Sequence, residues 1–168
     1  MLAQIEGKTL LKIAVNAINK KRGLPKDNFL KEKKGVFVTL TMKGELRGCI
    51  GLPFPVKPLG EAVIEAAESA AYADPRFPPI SEDEKKDLVT EVSVLSTPVP
   101  VKLEDIKKGD GVILEYGFRN ALFLPQVWEE LPGKQLFLEQ LSIKAGLNPD
   151  DYKKANFKKF SVQAFKTE

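Results

Sequence analysis

The sequence predicts an α+β fold, with antiparallel sheet and packed helices, on three observations. β-Branched stretches come in pairs around short turns, as in GVFVTLTMKGELRGCIG. Helical stretches separate the strands in no regular alternation, which argues against a parallel, doubly wound core. No internal repeat or low-complexity segment interrupts the 168 residues, and 43% hydrophobic residues suffice for a sizeable core.

The elements follow in chain order. Leu10, Leu11, Ala14, Ala17 and Ile18 recur at helical spacing in TLLKIAVNAINKKRG, which closes on lysines and Gly23, so the first element is an amphipathic helix. After a polar loop through Pro25, a hairpin is expected, turning at Met42, Lys43 and Gly44. PLGEAVIEAAESAAYADP reads as a second helix, with Glu61, Glu65 and Glu68 on one face and mostly alanines opposite, halted by Asp74 and Pro75. LVTEVSVLSTPVPV reads as a strand closed by Pro98 and Pro100, and GVILEYGFRNALFLP as a hairpin turning between Gly117 and Asn120. Two helices are expected around Val127 to Leu131 and Lys134 to Leu147, then a final strand, KFSVQAF.

Composition removes whole reaction classes. With no histidine, Ser-His-Asp triads, Cys-His dyads and His-ligated zinc cannot be assembled within the chain. With one cysteine, thiolate zinc sites, Fe–S clusters and internal disulfides go too. Chemistry is left to carboxylates, Lys, Arg, Tyr, Ser, the lone thiol, backbone amides or an oxygen-bound metal. No apolar run approaches the ~18 residues that span a bilayer and the start of the chain lacks a signal-peptide pattern, so a soluble, cytoplasmic protein without membrane contact is expected. A Lys- and Glu-rich composition points to a heat-tolerant source.

The net charge of +3 is spread unevenly: residues 1–50 carry 11 basic and 4 acidic groups, residues 51–100 carry 4 and 9. Intramolecular complementarity explains this more simply than a polyanion-binding arm. DYKKANFKKF interleaves Lys153, Lys154, Lys158 and Lys159 with Tyr152, Phe157 and Phe160. That composition either stacks bases and binds phosphates or anchors a core with solvated lysines; the second reading is favoured.

Three stretches carry candidate chemistry. In ELRGCIG, strand alternation sets Arg47 and Cys49 on one face about 7 Å apart, with Leu46 and Ile50 on the other, while Gly48 and Gly51 mark close approach by another backbone or a ligand. Cys49 is then either a thiol activated by Arg47 or inert packing. In YADPRFPPISEDE, three prolines stiffen a loop that leaves Asp74 and Arg76 free to bind a ligand or to pair with each other. In TEVSVLS, Glu91 and Ser93 share a strand face, and Glu91 needs a partner such as Arg47 or Arg76.

ELRGCIG, DPRFPPI, EVSVLS, LFLPQV and KAGL stand in the order and approximate spacing of the AMMECR domain, and the chain resembles that family over nearly its whole length. The family's biochemical role is unestablished. The resemblance implies one domain over residues 1–168 made of two unequal lobes, the larger holding both termini, with the shared motifs gathered around a cleft. By position it implies Arg47, Gly48, Cys49, Asp74, Arg76, Phe77, Glu91, Ser93, Pro125, Gln126 and Lys144 as cleft residues; the chemistry of the residue types makes Cys49, Asp74 and Glu91 the catalytic candidates among them and Arg47, Gly48, Arg76, Phe77, Ser93, Gln126 and Lys144 the substrate-binding ones. Family members occur fused to, or encoded beside, radical-SAM and Memo-like proteins, which implies a partner of that kind. No cofactor and no metal is expected. Two functions of different class follow: an enzyme or accessory factor holding a small anionic or modified-residue substrate in the cleft, or a non-catalytic binding module for nucleic acid or a partner protein.

Overall fold

Leu10, Ile13, Ala14, Ala17 and Ile18 form the buried stripe of the first helix, α1 (Gln4–Ile18). The helix starts ahead of the periodic run because the Glu6 carboxylate turns back to accept the Ala3 N–H at 2.7 Å, satisfying a donor at the helix end. Strands β1 (Val36–Met42) and β2 (Glu45–Leu52) form the expected hairpin. Lys43 and Gly44 make its two-residue turn with φ of 53° and 81°, the left-handed pair whose twist matches that of the strands. Helix α2 (Leu59–Tyr72) buries Ala62, Val63, Ala66, Ala67 and Ala70, small side chains that let it lie close to the sheet. Strand β3 (Leu88–Leu95) runs antiparallel to β1. Val36, Val38 and Leu40 of β1 and Val92 and Val94 of β3 join the helices' buried faces in one core.

The computed structural model describes residues 1–168 and divides into two compact units, Met1–Ser96 with Gln163–Glu168, and Thr97–Val162. The larger unit holds both termini. In the second unit, β4 (Val99–Val101), β5 (Gly111–Tyr116), β6 (Arg119–Phe123) and β7 (Asn156–Phe160) form a sheet in the order β4-β7-β5-β6, with α3 (Val127–Glu130) and α4 (Lys134–Lys144). Trp128 stacks on Phe137 with ring centres 3.8 Å apart and donates its indole N–H to the Asp110 carbonyl at 2.8 Å. Around these rings Val112, Leu114, Leu138 and Leu141 complete a second core.

Two strands differ from the sequence reading. LVTEVSVLSTPVPV ends as a strand at Leu95, and Pro100 lies inside the separate strand β4. β4 tolerates Pro100 because it is the edge of its sheet, where a missing N–H need not break a ladder. KFSVQAF is interrupted at Ser161: β7 belongs to the second sheet, while β8 (Val162–Lys166) borders β3 in the first, whose order is β2-β1-β3-β8. Both stretches read as one strand because apolar alternation continues through a break that only pairing partners define. No helix is long and apolar enough to cross a membrane.

Candidate functional site

The ELRGCIG strand does not alternate simply. Thr41 pairs with Leu46 and Leu40 with Gly48, so Arg47 is the extra residue of a β-bulge. The slip moves every later residue of β2 to the other face. Counted from the turn without a bulge, Cys49 would oppose Val38 and point into the core. With the bulge it opposes Thr39 on the face away from the helices, and Leu46, expected opposite Cys49, shares its face.

The bulge also explains the glycines. Gly48 opposes the fully buried Leu40, and a Cβ there would lie 2.1 Å from the Ala70 carbonyl oxygen of α2. A Cβ on Gly51 would lie 2.2 Å from the Phe37 ring. The approach that the sequence left open, backbone or ligand, is by helix backbone at Gly48 and by an aromatic ring at Gly51.

Asp74 closes the free edge of β2. Its Oδ2 accepts the Cys49 N–H at 3.0 Å and Arg76 Nη2 at 2.7 Å, and its Oδ1 accepts the Arg76 N–H and Nε, both at 3.0 Å. Arg76 Nη2 also donates to the Cys49 carbonyl at 3.2 Å. Both main-chain groups of Cys49 therefore point out of the sheet, where the Asp74–Arg76 clasp takes the place of a neighbouring strand. Hydrogen bonds from Arg76 and the Cys49 amide hold the Asp74 carboxyl well below the usual carboxylate range, against an opposing effect of burial. Asp74, 4% exposed, is thus a permanently ionised anchor, and the proton-carrying role considered for it is not supported.

Arg47 is buried and bidentate to Glu84, Nε to Oε1 at 2.8 Å and Nη2 to Oε2 at 3.1 Å. Arg47 and the Ser81 N–H hold the Glu84 carboxyl down at about 2. Both guanidiniums approach the Phe77 ring, with Arg76 Cζ 5.5 Å and Arg47 Cζ 6.0 Å from its centre. Arg47 Nη1 is buried with no partner. The ion pair expected for Glu91 is not formed, since Arg47 and Arg76 are taken by Glu84 and Asp74.

On the outer face, Cys49, Thr39 and Glu91 stand in one row across three strands, with Phe37 and Ser93 paired in the next. The half-buried Cys49 Sγ lies 3.2 Å from Thr39 Oγ1, within hydrogen-bonding reach. Glu91 is half-buried and has no ion pair or side-chain hydrogen bond. Arg76 has a half-exposed side chain and an Nη1 that bonds nothing. Sequence reasoning missed Glu84 and Thr39. Glu84 stood in the quoted SEDE segment, but only the fold selects it among four polar residues; Thr39 becomes the thiol's neighbour only through the bulge.

Of the candidates, Arg47, Gly48, Cys49, Asp74, Arg76, Phe77, Glu91 and Ser93 lie in the first unit, and Pro125, Gln126 and Lys144 in the second. Gln126 is exposed ahead of α3. Lys144 donates to the Leu122 carbonyl at 2.8 Å and lies 5.1 Å from the Phe123 ring centre, and partial burial lowers its pKa. In DYKKANFKKF, Tyr152, Phe157 and Phe160 are buried, while Lys153 pairs with Asp150 and Lys158 with Glu115. These rings offer no stacking platform for bases. No group of three or more Cys, Asp or Glu side chains is placed to hold a metal ion.

An α+β chain whose first sheet carries a bulged, glycine-flanked thiol latched by an Asp-Pro-Arg loop defines a narrow class of protein. The AMMECR1 family model matches residues 9–165, and the chain belongs to that family. It is 45% identical over 180 residues to a protein of Methanothermobacter thermautotrophicus, covering 97% of this chain and 94% of that one. It is 47% identical over 147 residues to Protein MJ0810 of Methanocaldococcus jannaschii, covering 80% and 73%. The crystal structure of uncharacterized protein PH0010 from Pyrococcus horikoshii superposes with a TM-score of 0.83 at 39% identity, covering 99% of this chain and 94% of that one.

Proposed function

We propose that the outer face around Cys49 binds a small anionic or modified-residue compound, and that the protein is an enzyme or accessory factor acting on it. Arg76 supplies the anion contact through Nη1, and the Cys49 thiol is the reacting or recognising group beside the Thr39 hydroxyl. Glu91 is the carboxylate available to take a proton, because Asp74 is locked in its ionised form.

One observation carries this reading. A buried carboxylate uses both oxygens to fix the backbone of the thiol-bearing residue and the guanidinium of a half-exposed arginine. Edge protection alone needs no oriented guanidinium with a free fork end, whereas recognition of an anion does. Because Asp74 offsets the charge of Arg76, the contact works through hydrogen-bond geometry at short range rather than through net charge.

Thermal shift with acetate, sulfate and inorganic phosphate on the wild type and Arg76→Ala tests it. The expected result is stabilisation of the wild type by at least one of the three, absent in Arg76→Ala. Equal shifts in both proteins, or none in either, would reject the anion contact.

A further inference from the structure

We infer that the compound held on this face is an aromatic carboxylic acid, with its ring stacked on Phe37, its carboxylate on Arg76 and an arm of about two carbons between them. This rests on the anion contact proposed above and adds the group that carries the anion.

Phe37 is the residue that the fold leaves over. It stands half-buried on the outer face of β1 and packs into neither core. No other aromatic ring pairs with it. Its partners across the sheet are Gly51 and Ser93, and Thr39 follows on the same face of its own strand, so these neighbours are all small. A Cβ on Gly51, which would point out of the sheet, would lie 2.2, 2.2 and 2.6 Å from ring atoms Cδ1, Cε1 and Cζ. A ring met at its edge would hold the third of these carbons much further off. Phe37 therefore lies face down on Gly51 and turns its other face outward. A large ring placed outside both cores with one π-face turned away from the sheet is a platform, and a second ring in an offset stack is what such a face takes.

The spacing sets the arm. Gly51 and Cys49 are two residues apart on β2, about 7 Å. The guanidinium lies beyond Cys49, with Arg76 Nη2 3.2 Å from its carbonyl oxygen. A carboxylate attached directly to the ring falls short of this span, whereas two intervening carbons bring it to Arg76. The Cys49 thiol and the Thr39 hydroxyl then lie under the arm.

Chemical-shift titration of ¹⁵N-labelled protein with propionate, 3-phenylpropionate and 3-phenylpropionamide separates the ring from the charge. On the wild type, 3-phenylpropionate should bind about 5-fold or more tightly than propionate, which has the same carboxylate without the ring. The amide keeps the ring, loses the charge and should bind more weakly than the acid. In Phe37→Ala the preference for the ring should fall to about one, with propionate bound as in the wild type, which excludes misfolding as the cause. Phe37→Tyr should retain the preference. If 3-phenylpropionate binds the wild type no better than propionate, or keeps its advantage in Phe37→Ala, the platform is refuted while the anion contact stands. If the amide binds as well as the acid, the pairing of ring with carboxylate is refuted. If neither acid binds and acetate also fails, the platform and the anion contact are refuted together.

Discussion

Replacing Asp74 by asparagine tests the clasp most severely. The side chain keeps its size, but one carboxylate oxygen becomes an NH₂ group. Each oxygen accepts two of the four hydrogen bonds, so two donors are left facing a donor whichever way the amide turns. Hydrogen bonds to a charged group contribute about 1.5–3 kcal/mol each, and the half-exposed Arg76 recovers part of this from water, leaving a cost of about 2–4 kcal/mol. For a unit of this size each kcal/mol is roughly 4–8 °C in melting temperature, so the first unit should melt roughly 10–30 °C lower at pH 7. The sign with pH follows from the depressed folded-state pKa. Stability from Asp74 is fully present above the unfolded value near ~4 and is lost as pH falls toward the folded one. The gap between wild type and Asp74→Asn, followed by circular dichroism, should therefore narrow steadily below about pH 4. A gap absent at pH 7, or unchanged at pH 3, would refute the clasp.

Three further outcomes follow. Glu84→Gln should destabilise at pH 7, and the loss should fade as pH falls from the ordinary glutamate value toward about 2, which melting curves across that range would register. Gly48→Ala should cost about 1–3 kcal/mol in denaturant titration, because its Cβ would lie 2.1 Å from a backbone oxygen that cannot swing aside; wild-type stability would mean that α2 does not approach the bulge as described. Phe157→Ala should cost about 3–5 kcal/mol, while Lys153→Gln with Lys154→Gln stays within about 0.5 kcal/mol of the wild type. Neither protein should retain RNA in a way that weakens with salt, and micromolar salt-sensitive retention by the wild type would contradict the burial of its aromatic rings.

Much of the fold was legible because local chemistry decided it. The Lys43–Gly44 turn, the alanine face of α2 and the halt at Asp74 and Pro75 each express a preference that the tertiary structure leaves intact. Breaks in regular strands were illegible, because Ser96 to Pro98 and Ser161 end a strand only when its two halves pair in different sheets. The site divided in the same way. Arg47, Cys49, Asp74 and Arg76 stood out as residue types, but their grouping did not follow from spacing, since the bulge at Arg47 reverses the face of everything after it. Pairing Arg47 with Glu84 rather than Glu91 is a tertiary choice between two carboxylates that look alike in the chain.

The central claim is that Asp74 orients Cys49 and Arg76 to make a ligand face on the first sheet, and chemical-shift mapping tests it most directly. Titrating acetate or inorganic phosphate into ¹⁵N-labelled protein should move the amides of Thr39 and Cys49 and the Arg76 Nε–H signal, with the same residues unmoved in Asp74→Asn. Shifts centred instead on the α1–α2 groove of about 520 Å³ lined by Lys20, Arg22, Glu68 and Tyr72, or shifts at Cys49 that persist undiminished in Asp74→Asn, would contradict it.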